Sequence, residues 1–228
     1  MAEEKKRDLK TEVLVLKRTN YGETDRILSL LTPEGKKSVL AKSVRRERSK
    51  LAGGIEMFCC SEVVLHQGRG ELAILTSAKM QKFYKNIMAN FETLETASEI
   101  LKRVNKVAEG TDNPDYYKIT KASLAALDDG AMQDVVLAWF YFNMAKTGGE
   151  QINLFYDANG EKLAENKRYN WDNFEKALRP NEQGRIGAKE IKMLRLMQVA
   201  DLKLVLRVKD IAEMAQELLY IAKTLNQL

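Results

Sequence analysis

The stretch Thr11-Glu-Val-Leu-Val-Leu-Lys-Arg18, closed by Asn20-Tyr21-Gly22, decides how the first third of the chain is read. It is short, β-branched and bounded by turn residues, which predicts a strand. Asp25–Leu31 is a second apolar run, halted at Thr32-Pro33-Glu34-Gly35, where Pro presets φ at the second turn position and Gly suits the fourth. A third run covers Lys37–Arg45. Two more, Glu62–His66 and Glu71–Thr76, flank Gln67-Gly-Arg-Gly70, a glycine-containing hairpin connection. Five short strands within about 70 residues predict a small barrel, most simply the five-stranded oligonucleotide-binding (OB) barrel. Ser49–Met57, with Gly53-Gly54, falls between strands three and four, where such barrels place a helix or loop.

Near residue 80 the period changes. Phe83, Ile87, Phe91, Leu94, Ser98, Leu101, Val104 and Ala108 step by three or four, which predicts one long amphipathic helix or two short ones. Asn113-Pro114-Asp115 has the chemistry of a helix start, and that helix runs to Asp128-Asp129-Gly130. Another begins near Ala131, carries the apolar stretch Val135–Met144 and ends at Thr147-Gly148-Gly149. Two more are expected around Ala188–Val199 and Asp210–Leu225, while Leu202–Val208 reads as helix or strand. Residues 150–186 break the pattern, with Asn159-Gly160 as a hairpin turn. The expected class is α+β. A five-stranded OB barrel occupies residues 1–80, and a helical domain, residues 81–228, carries a small irregular or hairpin insertion at 150–186.

Charge is distributed unevenly. The 228 residues hold 37 Lys/Arg against 32 Asp/Glu, a net +5. Residues 1–80 hold 16 basic and 11 acidic side chains, so the whole excess lies there. Lys36, Lys37, Lys42, Arg45, Arg46, Arg48 and Lys50 crowd one short stretch with a single acid, Glu47. A field of that sign attracts a polyanion. If the third strand and its following loop carry these cations, they border the face that OB folds offer to nucleic acid, and Ser43 and Ser49 add neutral donors to phosphate. Aromatic interleaving is sparse there: Tyr21 and Phe58 flank the stretch, and Tyr21 reads equally as a barrel plug or a base-stacking platform. Binding dominated by the phosphate backbone is therefore expected.

Other chemistries find little support. An apolar content of 45% with 30% charged residues is that of a globular protein, and no apolar run reaches the roughly 18–20 residues of a membrane span. No apolar segment follows the charged residues at the N-terminus, so no secretory signal is expected. Two adjacent cysteines fit a reducing compartment. Cys59 and Cys60 point to opposite faces of a strand and cannot grip one metal together, and the single histidine, His66, has no nucleophile motif beside it. No phosphate-cradling Gly-Lys-Ser/Thr loop is present. The chain is not expected to be an enzyme.

Leu14-Val-Leu-Lys-Arg-Thr-Asn-Tyr-Gly-Glu-Thr-Asp25, Leu30-Leu-Thr-Pro-Glu-Gly35, Val39-Leu-Ala-Lys-Ser-Val-Arg-Arg46 and Ser49-Lys-Leu-Ala-Gly53, taken at these intervals, resemble the N-terminal half of RecO, a bacterial DNA repair and recombination family. The rest of the chain is similar in outline: a helical domain, Gly-Gly after its third helix, an irregular insertion and closing helices. The resemblance implies a DNA-repair mediator that binds single- and double-stranded DNA and anneals complementary strands. With RecR, it implies help in loading RecA onto DNA coated by single-strand-binding protein, in the cytoplasm at the nucleoid. It assigns DNA contact to Lys36, Lys37, Lys42, Arg45, Arg46, Arg48 and Lys50. Many members carry a four-cysteine zinc site in the insertion, but residues 150–186 here hold neither Cys nor His, so no zinc or other cofactor is expected. The insertion is then expected to pack around Tyr156, Tyr169, Trp171 and Phe174. Ser43 stands where the family usually has glycine. Trp139, Phe140 and Lys146 are the candidates for meeting a protein partner, with a core role the stronger expectation for the two aromatics. Two rival readings follow from the basic stretch: an OB module for RNA, and an adaptor for an acidic protein.

Overall fold

The computed structural model describes residues 8–67, 70 and 72–225. Strand β1 (Asp8–Tyr21) pairs antiparallel with β2 (Asp25–Thr32) along one edge and with β4 (Cys59–His66) along the other. β3 (Gly35–Ala41) returns antiparallel to β2, and β5 (Ala73–Phe83) pairs with β4. A short parallel contact, Val39↔Ala73 and Leu40↔Ile74, closes the sheet into a barrel of order β1-β2-β3-β5-β4. The five expected strands are all present, in an OB-like arrangement. Of the expected β4–β5 connection, Gly68, Arg69 and Glu71 lie outside the described residues.

The barrel interior follows the period-2 rule: Val13 and Val15, Leu28 and Leu30, Val39 and Ala41, Val63 and Leu65 all point inward. Val44 and Ile55 join them from the β3–β4 connection. Leu14 and Leu16 face the other way yet are also buried, because helices cover that side of β1. Double-sided burial explains why Val13–Leu16 reads as an unbroken apolar run. Each such side chain contributes about 1.5–3 kcal/mol by leaving water.

Two boundaries differ from the sequence-based expectation. β3 ends at Ala41, four residues before Arg45, because Ser43 adopts φ 51° and turns the chain out of the sheet. Phe83 is the last residue of β5 and not the start of a helix, since β4 keeps pairing with it through Cys59. A 3-10 turn at Lys85–Ala89 follows, and α1 (Phe91–Val107) begins only where Asn90 Oδ1 accepts the Thr93 N–H at 3.0 Å. α2 (Asp115–Asp128) starts as its sequence suggests, with Asn113 Oδ1 accepting the Asp115 N–H at 2.9 Å.

By internal packing the chain forms two compact units, Met1–Asp128 and Asp129–Leu228, so the first runs on past the change of period at residue 80. Two ties hold α1 and α2 to the barrel. Lys36 Nζ reaches from β3 to the Asn105 carbonyl (2.7 Å) and the Glu109 carboxylate. On the neighbouring face, Glu12 of β1 accepts from Lys121 Nζ at 2.5 and 2.9 Å and from the Cys60 thiol at 2.5 Å.

The second unit is built on α3 (Gln133–Thr147), apolar all round and packed against α6 (Ile211–Leu225). α4 (Ala188–Val199) lies on α3, and Leu202–Val205, ambiguous in sequence, is the short helix α5. Within the insertion, Gly160 turns the chain at φ 80° as Asn159-Gly160 predicted, and β6 (Tyr169–Asp172) and β7 (Ala177–Pro180) form a hairpin. Tyr169, Trp171, Leu178 and Ile186 are its buried side chains, and Trp171 Nε1 donates to Thr224 Oγ1 of α6 at 2.8 Å. Tyr156 and Phe174, expected in that small core, are instead exposed. Phe174 sits in the β6–β7 turn, 96% exposed.

Candidate nucleic-acid interface

The Tyr21–Asp25 turn and the chain leaving β3 meet at one end of the barrel, because β2 starts beside the end of β3 in the pairing Arg26↔Ala41. Asp25 joins them. Its Oδ1 accepts the Ser43 N–H at 2.7 Å and the Thr24 hydroxyl at 3.1 Å. The Ser43 N–H, then Thr24 and the nearby Lys42 and Arg46 charges, hold the Asp25 carboxyl below the usual carboxylate range. The two segments are also stitched through backbone: Arg45 N donates to the Thr24 carbonyl at 2.9 Å, and Arg45 Nη1 reaches the Gly22 carbonyl at 3.3 Å. Arg46 N then donates to Ser43 O (3.2 Å) and Ser49 N to Arg46 O (3.0 Å), giving two successive tight turns.

This geometry turns the basic run into a presented loop. Val44 is buried under it, while Lys42, Arg45, Arg46, Arg48 and Lys50 all face solvent. None of these five side chains joins an ion pair among the described residues. The structure therefore brings five of the seven expected DNA-contact residues together. Lys37 is half-buried on β3, and Lys36, with its side chain 8% exposed, is spent on the Glu109 and Asn105 contacts that hold α1. Tyr21 is 55% exposed at the turn, so it does not plug the barrel. Phe58, the other flanking aromatic, is buried and faces no solvent.

Beyond the loop, the 3-10 turn Ala52–Ile55 closes the barrel end. Gly54 lies so near β5 that a Cβ there would come within 2.6 Å of the Ala78 backbone. β5 then continues past Ala78 with Lys79, Met80, Gln81, Lys82 and Phe83 all exposed. These residues escaped the sequence reading, which assigned Phe83 to a helix. The legible signal is Lys79-Met-Gln-Lys-Phe-Tyr-Lys85 itself, where cations and large apolar side chains interleave.

The remaining candidates have structural duties. Trp139 and Phe140 are buried in α3, with Trp139 Nε1 donating to the Ala200 carbonyl at 2.9 Å. Lys146 Nζ donates to the Gln198 carbonyl at 2.9 Å, near the C-terminus of α4, where carbonyls lack helical partners. His66 Nδ1 meets Asp8 Oδ1 at 2.6 Å on the barrel surface. Cys59 points into the barrel core, and Cys60 points out toward Tyr117 and Glu12; burial first, then the Glu12 carboxylate, pushes the Cys60 thiol up to about 12. Among the described residues no three His, Cys, Asp or Glu side chains converge as metal ligands, and no helix is long and apolar enough to cross a membrane.

A five-stranded OB-like barrel that holds out a loop of exposed cations, followed in the chain by a helical unit, defines the structural class of this protein. Comparison with known proteins narrows this. The family profile "Recombination protein O N terminal" matches residues 6–84, and "Recombination protein O C terminal" matches residues 97–225. The chain belongs to the RecO family. A protein named DNA repair protein RecO from Dehalococcoides mccartyi (strain ATCC BAA-2266 / KCTC 15142 / 195) is 30% identical over 222 residues, 94% of this chain and 87% of that protein. Another of that name, from strain CBDB1 of the same species, is 34% identical over 160 residues, 69% of this chain. That match spans 63% of the relative's own length. One from Roseiflexus sp. (strain RS-1) is 29% identical over 147 residues.

Proposed function

We propose that this chain is a non-enzymatic DNA repair and recombination mediator. It binds single- and double-stranded DNA through the Lys42–Lys50 loop, anneals complementary strands and, with RecR, helps RecA onto DNA coated by single-strand-binding protein. It acts in the cytoplasm, at the nucleoid, and needs no zinc. The observation that carries this reading is the loop: five exposed cations without ion-pair partners among the described residues, on a backbone fixed by Asp25.

The mechanism is electrostatic. Two DNA strands repel through their phosphates, and cations presented between them lower that repulsion and release counterions, so the strands can pair. Fixing the loop in advance lowers the ordering cost of binding. Family membership supports the repair context, and the packed hairpin of the insertion, with Tyr169 and Trp171 buried, supports a zinc-independent fold.

Strand annealing in the presence of single-strand-binding protein, with and without RecR, tests the reading. Acceleration by the chain, increased by RecR, is expected. No acceleration of annealing on naked or coated strands would overturn it, and a strong preference for single-stranded RNA over DNA of equal length would favour an RNA-binding module instead.

A further inference from the structure

Backbone neutralisation alone leaves bases without a partner, and beside the basic loop Tyr21 of the β1–β2 turn is an exposed aromatic able to stack on one. The end of β5 supplies more. In the β4–β5 ladder Met80 stands opposite Ser61 and Phe83 opposite Cys59, with Lys82 opposite Cys60. Ser61 and Cys59 both face inward, so Met80 and Phe83 share one face of the strand. The register shift between Cys60 and Ser61 is what returns Phe83 to that face, three positions after Met80.

That face is also the one Ala78 presents to Gly54. Ala78 touches the 3-10 turn four residues beyond Lys50, and Met80 and Phe83 emerge just past it, 36% and 39% exposed. The inward face thus carries two large apolar side chains out of the barrel end, bordered by the connection that carries the exposed cations of the Lys42–Lys50 loop. Lys79 and Lys85 are exposed beside them, while Lys82 Nζ pairs with Asp128 Oδ2 at 3.5 Å and lies over the Tyr84 ring at 4.9 Å. An apolar pair flanked by the Lys79 and Lys85 ammonium groups, neither of which joins an ion pair among the described residues, complements unpaired nucleobases on a charged backbone. The pair itself has nothing to stack on in a duplex, whose bases are already stacked.

We propose that Phe83, supported by Met80, is a base-stacking platform for single-stranded DNA, with the backbone of the same strand held by the Lys42–Lys50 loop. This rests on the DNA-binding reading above and adds to it the discrimination between single strands and duplex.

The test measures fluorescence anisotropy of the full chain with three probes: a 30-nucleotide oligothymidylate, the same backbone built with abasic sites, and a 30-base-pair duplex. Phe83→Ala should weaken the base-bearing single strand about tenfold, the size of one lost stack, and leave the abasic strand and the duplex unchanged. Phe83→Tyr should retain wild-type affinity for all three, which separates stacking from misfolding. Equal losses on all three probes, or no loss on oligothymidylate, would overturn the proposal while DNA binding itself stands. Absence of binding by the wild-type chain to any probe at low salt would overturn both readings together.

Discussion

The Asp25 carboxylate accepts the backbone N–H of Ser43 at 2.7 Å, across 18 positions of sequence, and so fixes the first turn of the barrel to the loop that leaves β3. Ser43 is the residue at which the chain turns, with φ 51°. A left-handed backbone at a residue with a Cβ costs about 1–2 kcal/mol, and the charge-assisted hydrogen bond to Asp25 offsets it. The cations that follow are therefore presented from a fixed backbone.

Glycine at position 43 removes the Cβ strain and keeps the N–H. Ser43→Gly should raise stability by about 0.5–1 kcal/mol, read as a higher urea midpoint at unchanged slope. An unchanged or lower midpoint would show that Ser43 is not strained.

The Asp25 contact is also pH-dependent. Its carboxyl titrates below its ordinary value of 3.8, so its contribution is fully present above that value and is lost as pH falls through the lower, folded one. Between pH 5 and pH 3, wild type should therefore lose more stability than Asp25→Asn, in which the group does not titrate. Denaturation midpoints at the two pH values make the comparison, and equal losses in both proteins would remove Asp25 from the account.

Much of the barrel is legible in sequence because its signals are local. The β-branched run of β1 with its closing turn residues, the Thr32-Pro33-Glu34-Gly35 turn and the Asn113-Pro114-Asp115 helix start depend on neighbouring residues, and each appears where those residues put it. The misread positions depend on distant partners. Phe83 steps in register with Ile87 and Phe91 as a helix would, but Cys59, 24 positions earlier, holds it in a strand. Lys36 belongs to a basic run, but Glu109, 73 positions away, takes its charge. Ser43 looks like strand sequence, but the Asp25 carboxylate, 18 positions earlier, holds it in a turn.

Gly54 tests how tightly the loop is anchored. A methyl group there meets the Ala78 backbone at 2.6 Å, where nothing flexible can yield. Gly54→Ala should lower stability by about 1–3 kcal/mol, whereas Gly53→Ala, with open space around its Cβ, should cost little. Similar midpoints for the two variants would contradict the packing of Ala52–Ile55 against β5.

Neither cysteine is poised to react. Cys59 is buried in the barrel, and burial and the Glu12 carboxylate keep Cys60 protonated at neutral pH. Both thiols should resist a disulfide reagent at pH 8 in the native protein and react on unfolding. Rapid labelling of Cys60 in the folded chain would contradict the Glu12 contact, and rapid labelling of Cys59 would contradict its burial in the barrel.

The central claim is that the Lys42–Lys50 loop binds DNA by neutralising phosphates. The most direct measurement is the dependence of single-stranded DNA affinity on salt for wild type and for the triple variant Arg45→Glu, Arg46→Glu, Arg48→Glu. Losing three phosphate contacts should weaken binding strongly at low salt and reduce the slope of log K against log[salt] by about two. Unchanged affinity and slope in a correctly folded variant would contradict the account.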